Sequence, residues 1–341
     1  MPANSRRVRR AAFLAAALAC HQPPHPPAVS RVGPALGAMF SVAAWGPDSA
    51  RLAAAVGMAF DSVALVDSLL SPDWRGSELS LVNHAGGPHR VSPTLQAVLA
   101  AGLAVARASH GAYSPGHPDG RGLLLDTVRG GATVTLARGT TLELDPIARG
   151  YALDRAARAL SGAADSAVLD LGGQYLLVGG ASIRAVGVPD PDNDLTLLVL
   201  VGVAPGRSLA TTARPATPGD LRDPRTGRPA TRARSVTVVA ATGVAAAAWS
   251  RAFFVLGCDS ALAGAGAAAV AVVCADDQAG VRWTDDLTGR VQRAPNDSAD
   301  SARPGHGRSP AAPPDPASGP HSPSSRSAPS RTGRRAARPA S

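Results

Sequence analysis

The most constraining feature of the chain is a segment near its middle, in which a helical pattern leads into a strand that two glycines interrupt. Apolar side chains recur at helical spacing over Leu153–Leu160, and Gly162 is a typical helix end. Ser166–Leu171 predicts a short buried strand, and Gln174–Val178 predicts its continuation beyond the glycines. Paired glycines inside a strand pattern, here Gly172–Gly173, indicate a sharp bend or a close approach of the backbone to another group.

The turn that precedes this helix, Ile147–Gly150, is a candidate anion site. A turn at the start of a helix presents free backbone N–H groups, which suit a phosphate or another anion. An ordinary loop, helix and hairpin would have the same sequence pattern, so the residues alone leave both interpretations open.

Other periodic segments predict a mixture of helices and strands. Helices are expected over Ser49–Leu70, Ser92–Gly111 and Gly243–Gly257, where apolar residues have helical spacing or a capping residue stands at the start. Segments 132–144 and 281–293 are expected to form β-hairpins. Periodicity alone therefore indicates a mixed α and β chain and leaves the arrangement of its sheets open.

The distribution of charge argues against a nucleic-acid partner. All 34 basic residues are Arg, and the formal net charge is +9. Residues 1–31 carry five Arg and no acidic residue, and residues 296–341 carry seven Arg and three Asp. The body between them, residues 32–295, holds 22 basic and 22 acidic side chains. A neutral body lacks the basic surface expected of a nucleic-acid-binding domain.

The first 20 residues have the pattern of an export signal. Four Arg precede the apolar run Ala11–Ala19, which is too short to span a bilayer. Cys20 ends this run and a Pro-rich segment follows it, so we interpret residues 1–20 as a lipoprotein signal and residues 21–32 as a tether. Cleavage with release, or an uncleaved anchor, are the alternatives. The expected location is the cell envelope, where the protein is anchored to the membrane through lipidated Cys20.

The C-terminal segment, residues 295–341, consists mainly of Pro, Ser, Ala, Gly and Arg. A segment of this composition buries too little apolar area to compensate for the loss of chain entropy. We therefore expect a disordered basic tail.

Two further cysteines, Cys258 and Cys274, lie in apolar sequence. They are either buried free thiols or a disulfide, which export would permit. We interpret them as unpaired core residues. The spacing of Cys and His does not suggest a zinc site.

Several motifs resemble those of the ApbE-type flavin transferases, the FAD:protein FMN transferases of the bacterial envelope. The run Ile147–Asp154, followed by Leu169–Gly173, is similar to the family's core signature, with Arg149 where the family has Lys. Three further motifs are similar to family motifs, at Ser77–Asn83, Gly111–Pro115 and Leu221–Pro229. The motifs stand in family order across roughly residues 33–293. The resemblance implies an α+β fold over residues 33–294, a single T-fold-like domain of antiparallel sheets with packed helices.

The resemblance also implies a reaction and its partners. Members of this family transfer FMN from FAD to a Thr or Ser hydroxyl of an exported redox protein, and AMP leaves. The transfer requires neutralisation of the charge on the pyrophosphate, which magnesium usually supplies. FAD is therefore the expected substrate, an exported redox protein the expected acceptor, and magnesium the family's cofactor.

Carried over position by position, the resemblance implies the following site. Asp223 and Arg251 occupy positions expected to act in catalysis. The positions expected to contact the flavin substrate are Leu36, Gly37, Ala38, Glu78, Gly111, Ala112, Tyr113, Ser114, Ala148, Arg149, Gly150, Gly172, Gly173, Asp220, Thr226 and Gly227.

The expected metal positions are Ala148, Ala247 and Arg251. Ala247 and Arg251 stand where the family has Asp and Thr, and neither side chain supplies an oxygen ligand for a hard cation. Ala148 would contribute a main-chain oxygen. Two hypotheses follow. The chain is a working transferase in which Arg251 or Arg149 replaces some of the metal's charge, or it is a flavin-binding or purely structural lipoprotein without catalysis.

Overall fold

The computed structural model describes residues 28–294, apart from Gly86, residues 118–120, Arg129 and Pro218. The predictions for Cys20, for residues 21–27 of the tether and for residues 295–341 lie outside the described residues. The chain divides into two units, Met1–Pro295 and Asn296–Ser341, and all described residues lie in the first.

The described body alternates helices with antiparallel strands. The strands in chain order are β1 (Ala28–Ala35), β2 (Ala38–Trp45), β3 (Gly87–Val91), β4 (Gly116–His117), β5 (Leu123–Val128), β6 (Gly131–Leu136), β7 (Thr141–Leu142), β8 (Ser166–Leu171), β9 (Gln174–Gly179), β10 (Arg184–Asp190), β11 (Asn193–Val203), β12 (Ser208–Ala213), β13 (Ser235–Ala240), β14 (Ala271–Asp276), β15 (Gly280–Trp283) and β16 (Val291–Arg293). The helices are α1 (Ser49–Leu70), α2 (Glu78–His84), α3 (Pro93–Ala108), α4 (Asp145–Leu160), α5 (Gly243–Leu256) and α6 (Cys258–Gly264). A short 3-10 helix covers Asp285–Leu287.

Eight strands form the central sheet, in the order β1-β2-β8-β9-β12-β13-β14-β15, with every neighbouring pair antiparallel. Helices α1, α4 and α5 pack together, and their apolar residues share two core clusters with strands of this sheet. The three-stranded sheet β10-β11-β16 shares a third core cluster with β9, β12 and β14. All six residues of β13 are buried, as expected of a strand that is covered on both faces. The predicted α+β class with antiparallel sheets is confirmed.

Helices α1, α3 and α5 begin at or next to their predicted first residues, because each start carries a capping residue, whereas α4 begins at Asp145, well before the predicted Leu153. Asp48 accepts the N–H groups of Ala50 and Arg51 at the start of α1. Ser92 caps α3, with Pro93 at its first position, and Thr242 caps α5. Such side chains satisfy N–H groups that have no partner inside the helix.

Two predicted hairpins are wrong, because the two strands within each segment do not pair with each other. Within residues 132–144, β6 pairs with β3 and β5, whereas β7 pairs with β4. Within residues 281–293, β15 pairs with β14, whereas β16 pairs with β11. Strand patterns in a sequence do not specify which partner a strand takes when the partners are far apart in the chain.

Strand β1 lies partly in the segment expected to be a tether. It pairs with β2 along its whole length, from Ala28 opposite Trp45 to Ala35 opposite Ala38. Residues 28–32 of the expected tether are therefore part of the central sheet.

The prediction that Cys258 and Cys274 are unpaired is wrong, because the two residues form a disulfide. Cys258 begins α6 and Cys274 lies in β14, and these two elements pack against each other. Both residues are buried in the same core cluster as α5. The bond depends on helix–sheet packing that the sequence pattern does not specify.

Among the described helices, α1 is the one that is long and apolar enough to cross a membrane by length and composition. Seven of its residues, from Leu52 to Leu70, are buried in the core against the rest of the fold. Core helices commonly have this composition.

Candidate active site

A cavity of about 100 Å³ brings together predicted site residues from distant parts of the chain. Predicted residues that line it are Ala112, Tyr113, Ser114, Asp220 and Arg251. The rest of its lining consists of Gly116, His117, Glu143, Arg222, Pro224 and Val255. Four larger surface grooves, of about 360, 440, 530 and 580 Å³, contain none of the predicted positions. The small cavity is therefore the candidate active site.

The loop after α3 places Tyr113 in the wall of this cavity. Its backbone turns at His110 and Gly111, whose φ angles are 52° and 79°, and the N–H of Tyr113 donates to Oγ of Ser109 at 3.2 Å. Tyr113 is only 2% exposed, and its hydroxyl has no hydrogen-bond partner in the described structure. Burial raises the pKa of Tyr113 and the charge of Arg251 opposes that shift, so the hydroxyl stays protonated at neutral pH.

Arg251 enters the cavity from α5, one helical turn after Ala247. The described residues provide no hydrogen bond or ion pair for its guanidinium. Three other titratable side chains of the cavity have partners: Oε1 of Glu143 lies 3.4 Å from Nδ1 of His117, and Nη1 of Arg222 donates to the carbonyl of Gly227 at 2.9 Å. The cavity therefore holds one arginine whose donors are available.

Helix α5 is fixed in place by Asp154 of α4. One carboxylate oxygen of Asp154 accepts the N–H of Gly243 at 2.7 Å, and the other accepts the N–H of Val244 at 3.1 Å. Nε2 of Gln174 donates to the carbonyl of Gly243 at 2.8 Å. Burial raises the pKa of Asp154, and the two N–H groups oppose that shift. The start of the helix that carries Arg251 is thus held by two side chains from other elements.

The contact between α4 and α5 requires glycine on both sides. A Cβ added at Gly150 would overlap the backbone of Gly243, and a Cβ at Gly243 would overlap the backbone of Gly150. This close approach explains why Gly150 stands in the motif, because its role in the structure is to let the two helices meet.

A second group of predicted residues gathers at two neighbouring strand turns. The turn between β1 and β2, Leu36–Gly37, has φ angles of 48° and 68°, and the turn between β8 and β9, Gly172–Gly173, has φ angles of 60° and 81°. The two turns adjoin each other, because the N–H of Gly172 donates to the carbonyl of Met39 at 3.1 Å. A Cβ at Gly172 would lie 2.9 Å from Cβ of Ala38.

Arg149 lies beside these turns. A Cβ at Gly172 would lie 3.4 Å from its Nη1, and Nη2 donates to Oδ2 of Asp145 at 2.8 Å. Its Nε is buried and has no partner within the described part of the chain. Arg149 thus combines one paired and one unpaired donor, at the start of α4.

The turn Ile147–Gly150 lacks, from Ala148 onward, the free N–H groups expected of it. Helix α4 begins at Asp145, and the N–H of Ala148 already donates to the carbonyl of Leu144 at 2.7 Å. Arg149 and Gly150 follow inside the helix. The early start has a physical cause, since Pro146 has a backbone angle suited to the first helical turn. An anion near this segment would contact the side chain of Arg149 and not the main chain of Ala148–Gly150.

Two predicted side chains have partners of their own. The carboxylate of Glu78 accepts both the N–H and the hydroxyl of Ser92, so it supports the start of α3. Asp223 accepts the N–H, Nε and Nη2 of Arg225, at 2.8 to 2.9 Å. The paired Arg225 lowers the pKa of Asp223. Asp223 is not among the residues that line the cavity, and Thr226 and Gly227 lie exposed in the same turn.

The residues at the expected metal positions do not fit a divalent cation. Ala247 is 2% exposed and has no ligand atom in its side chain. Arg251 brings a positive charge to the neighbouring position. Across the described ranges, no three or more His, Cys, Asp or Glu side chains are grouped as a metal site would require. Hard cations need several oxygen ligands, and this donor set does not provide them.

Sequence reasoning missed several residues that shape the site. Asp154 is part of the quoted core motif, but its contact with Gly243 joins residues 89 apart in the chain, so the sequence gives no signal for this role. Val255 follows Arg251 by four residues, so it lies on the same helical face. Gln174, His117 and Glu143 have no signal in the sequence, because their roles depend on contacts between distant segments.

Comparison with known proteins identifies a family for the middle segment of the chain. The sequence model of the ApbE family matches residues 117–274. Residues 117–274 belong to the ApbE family. The matched segment contains the core motif and the motif at Leu221–Pro229, and the resemblance inferred from the residues is thereby confirmed. No curated protein matches the chain by sequence.

Solved structures extend the likeness to most of the described body. The ApbE protein of Thermotoga maritima is 20% identical with a TM-score of 0.67, over 77% of this chain and 99% of that one. The apo form of the Pseudomonas stutzeri flavinyl transferase ApbE is 19% identical with a TM-score of 0.64, over 79% of this chain and 99% of that one. The Vibrio cholerae flavin transferase ApbE is 20% identical with a TM-score of 0.63, over 77% of this chain and 100% of that one. At this level of identity the likeness shows the ApbE fold.

Proposed function

We propose that the chain is a flavin transferase that transfers FMN from FAD to a Thr or Ser hydroxyl of another protein. The ApbE segment and the ApbE fold support this reaction class. The observation that carries the proposal is the cavity, because it gathers Ala112–Ser114, Asp220 and Arg251 from three separate parts of the sequence. If the chain kept only the motifs of the family and had lost the site, these residues would not need to line one cavity.

The proposed reaction forms one bond and breaks one. The oxygen of the acceptor hydroxyl bonds to the phosphorus of the FMN half, the pyrophosphate bond to the AMP half breaks, and AMP leaves with the electron pair. Arg251 supplies positive charge where the phosphate charge increases, which is a common role of arginine in phosphoryl transfer. Asp220 lines the same cavity, and its carboxylate has no hydrogen-bond partner among the described side chains. We assign Asp220 to accept the proton of the attacking hydroxyl.

The proposed acceptor is an exported redox protein, and the proposed location is the cell envelope. The disulfide Cys258–Cys274 supports export, because disulfides persist in oxidising compartments and are rare in the cytosol. The basic start, short apolar run and Cys20 support a lipid anchor on the envelope membrane.

A second candidate function is supported by the substitutions on α5. Ala247 and Arg251 remove the oxygen ligands that the family uses for magnesium, and charge stabilisation at a transferring phosphate supplies much of the rate in such reactions. The alternative is a flavin-binding protein of the same fold with little or no transfer.

Turnover of FAD distinguishes the two functions. The purified full-length chain is incubated with FAD in the presence of a chelator, and AMP and FMN are quantified by chromatography, with water replacing the protein acceptor. The transferase proposal predicts slow release of both products without magnesium. Release of neither product, while FAD still binds, would establish the second function.

The matched control restores the family's ligands in the double variant Ala247→Asp with Arg251→Thr. Since Asp and Thr supply oxygen ligands one helical turn apart, product release by this variant should become dependent on magnesium and faster than that of the parent. A parent whose release already depends on magnesium would show that other residues bind the metal.

A further inference from the structure

We propose that Arg251 and Tyr113 form an anion site that binds a pyrophosphate group without a divalent cation. The choice of FAD as the source of that group rests on the proposed function. The argument for the site itself depends only on the hydrogen-bond donors of the residues that line the cavity. The shared chemistry is a phosphate anhydride, from FAD or from free inorganic pyrophosphate.

The first support is the set of available donors. The guanidinium of Arg251 lines the cavity and has no hydrogen-bond or ion-pair partner among the residues that the structure describes. A guanidinium carries five N–H donors, which in folded proteins commonly have acceptors. Arginine binds phosphate through two parallel N–H donors, which makes it suited to this ligand. Its available donors point to an acceptor supplied from outside the chain.

The second support is independent and comes from Tyr113. Its hydroxyl is buried without a partner, although buried polar groups in folded proteins are nearly always hydrogen-bonded. It remains a donor at neutral pH, because burial disfavours loss of its proton. The residue lines the same cavity as Arg251. Arg251 and the hydroxyl of Tyr113 thus both lack an acceptor, and both residues line one cavity, so we expect a ligand rich in acceptors there.

The third support is the size and charge of the cavity. A volume of about 100 Å³ is several times the roughly 10–15 Å³ that a cavity needs to hold one water, so the cavity has room for a phosphate group and is too small to enclose a whole flavin. Its cationic side chains are Arg222 and Arg251, and His117 is paired with Glu143. Asp220 is the one acid of the lining without a described partner, and it weakens anion binding.

Arg251 therefore takes over part of the role that a metal has in the family. A cation and a guanidinium both neutralise phosphate charge, but they cannot occupy the same position. Ala247, on the preceding turn of the same helix, is buried and has no ligand atom in its side chain. The substitutions are consistent with each other, because both exclude a metal and one supplies a replacement charge.

Isothermal titration of the full-length chain with inorganic pyrophosphate, in buffer containing a chelator, tests the site. Saturable binding is expected. Arg251→Gln should weaken it about tenfold or more, since a charge-assisted hydrogen bond is lost. Tyr113→Phe should weaken it by roughly two- to tenfold, as for a neutral hydrogen bond. Asp220→Asn should strengthen it.

The matched control is Arg290→Gln, which removes one positive charge from an exposed residue outside this cavity. It should change the affinity less than twofold, because exposed charges at a distance are screened by salt. Near-ultraviolet circular dichroism of every variant checks that the fold is intact. Tyr113→Phe removes only a hydroxyl that has no partner in the described structure, so weaker binding by this variant would not be caused by misfolding.

A second titration with FAD separates the two sources and the two proposals. Equal losses for FAD and pyrophosphate in Arg251→Gln would place the FAD pyrophosphate on this site. If Arg251→Gln weakens the binding of pyrophosphate but not of FAD, the proposed site stands and its ligand is the free anion. Pyrophosphate binding that depends on Arg251 in a protein that does not bind FAD would refute the proposed function and keep the site. Affinities that are equal in the parent and in Arg251→Gln, or absence of pyrophosphate binding, would overturn the site.

Discussion

At the scale of single residues, the site depends on side chains whose burial and hydrogen bonds change their pKa values and their roles. Asp154 is the clearest case, because it is an acid that is buried to cap a helix and not exposed to react. Its two hydrogen bonds hold the start of α5, and α5 carries Arg251 into the cavity. Asp154 is therefore a positioning residue.

The raised pKa of Asp154 predicts a pH-dependent contribution to stability. Because the folded-state pKa is above the unfolded value of 3.8, the folded chain binds more protons than the unfolded chain between these two values. The contribution of this residue to stability therefore increases as pH falls from neutral through the raised pKa, and it is complete below 3.8.

Denaturant unfolding of the parent and of Asp154→Asn, at several pH values from 7 down to about 4, measures this effect. The variant should be less stable at every pH, by about 1–3 kcal/mol at neutral pH, since one N–H of α5 loses its acceptor. The difference should widen as pH falls. A difference that narrows toward acid pH would show that the pKa of Asp154 is not raised.

At the scale of elements, the contact between α4 and α5 sets the geometry of the site. Gly150 and Gly243 allow the two helices to approach until their backbones touch. Gly57 in α1 provides a comparison, because a Cβ there would meet no atom within 4 Å.

Substituting each of two helical glycines by alanine tests this contact. Gly57→Ala should stabilise the chain by about 0.5–1 kcal/mol, as alanine favours the helix. Gly150→Ala should destabilise it by about 3 kcal/mol, because overpacking forces the helices apart. Thermal unfolding measures both. Equal effects of the two substitutions would show that close packing at Gly150 is not required.

The disulfide acts at the same scale, between α6 and β14. It closes a loop with a sequence separation of 16, and cross-linking a loop of that size typically contributes about 3 kcal/mol. The double variant Cys258→Ser with Cys274→Ser should lose roughly that amount in denaturant unfolding. Treating the parent with reductant should cause a similar loss, whereas the variant should be insensitive to reductant. A parent that is equally stable with and without reductant would contradict the bond.

At the scale of the whole molecule, the sequence predicted the elements better than their pairing. Helix α1 and strand β8 have the predicted bounds, because periodicity and capping are local properties. The pairing of β7 with β4 and of β16 with β11, and the bond between Cys258 and Cys274, could not be predicted, since they depend on contacts between separate segments of the chain.

The candidate site shows the same division. Its motifs predicted Tyr113, Asp220 and Arg251, and the fold brings these three into one cavity. The motifs did not reveal that Asp223 and Glu78 already have internal partners. Nor did they reveal that Tyr113 lacks one, because an unpaired buried hydroxyl is visible only when all neighbours are placed.

The central claim is that this ApbE fold binds FAD without a divalent cation. Titration of FAD fluorescence with the full-length chain, once with a chelator and once with excess magnesium, tests it directly. We predict saturable binding with the same affinity in both conditions, because in the proposed site the guanidinium of Arg251 supplies the positive charge that pairs with the pyrophosphate. Absence of saturable binding in both conditions, or binding that appears only with magnesium, would contradict the account.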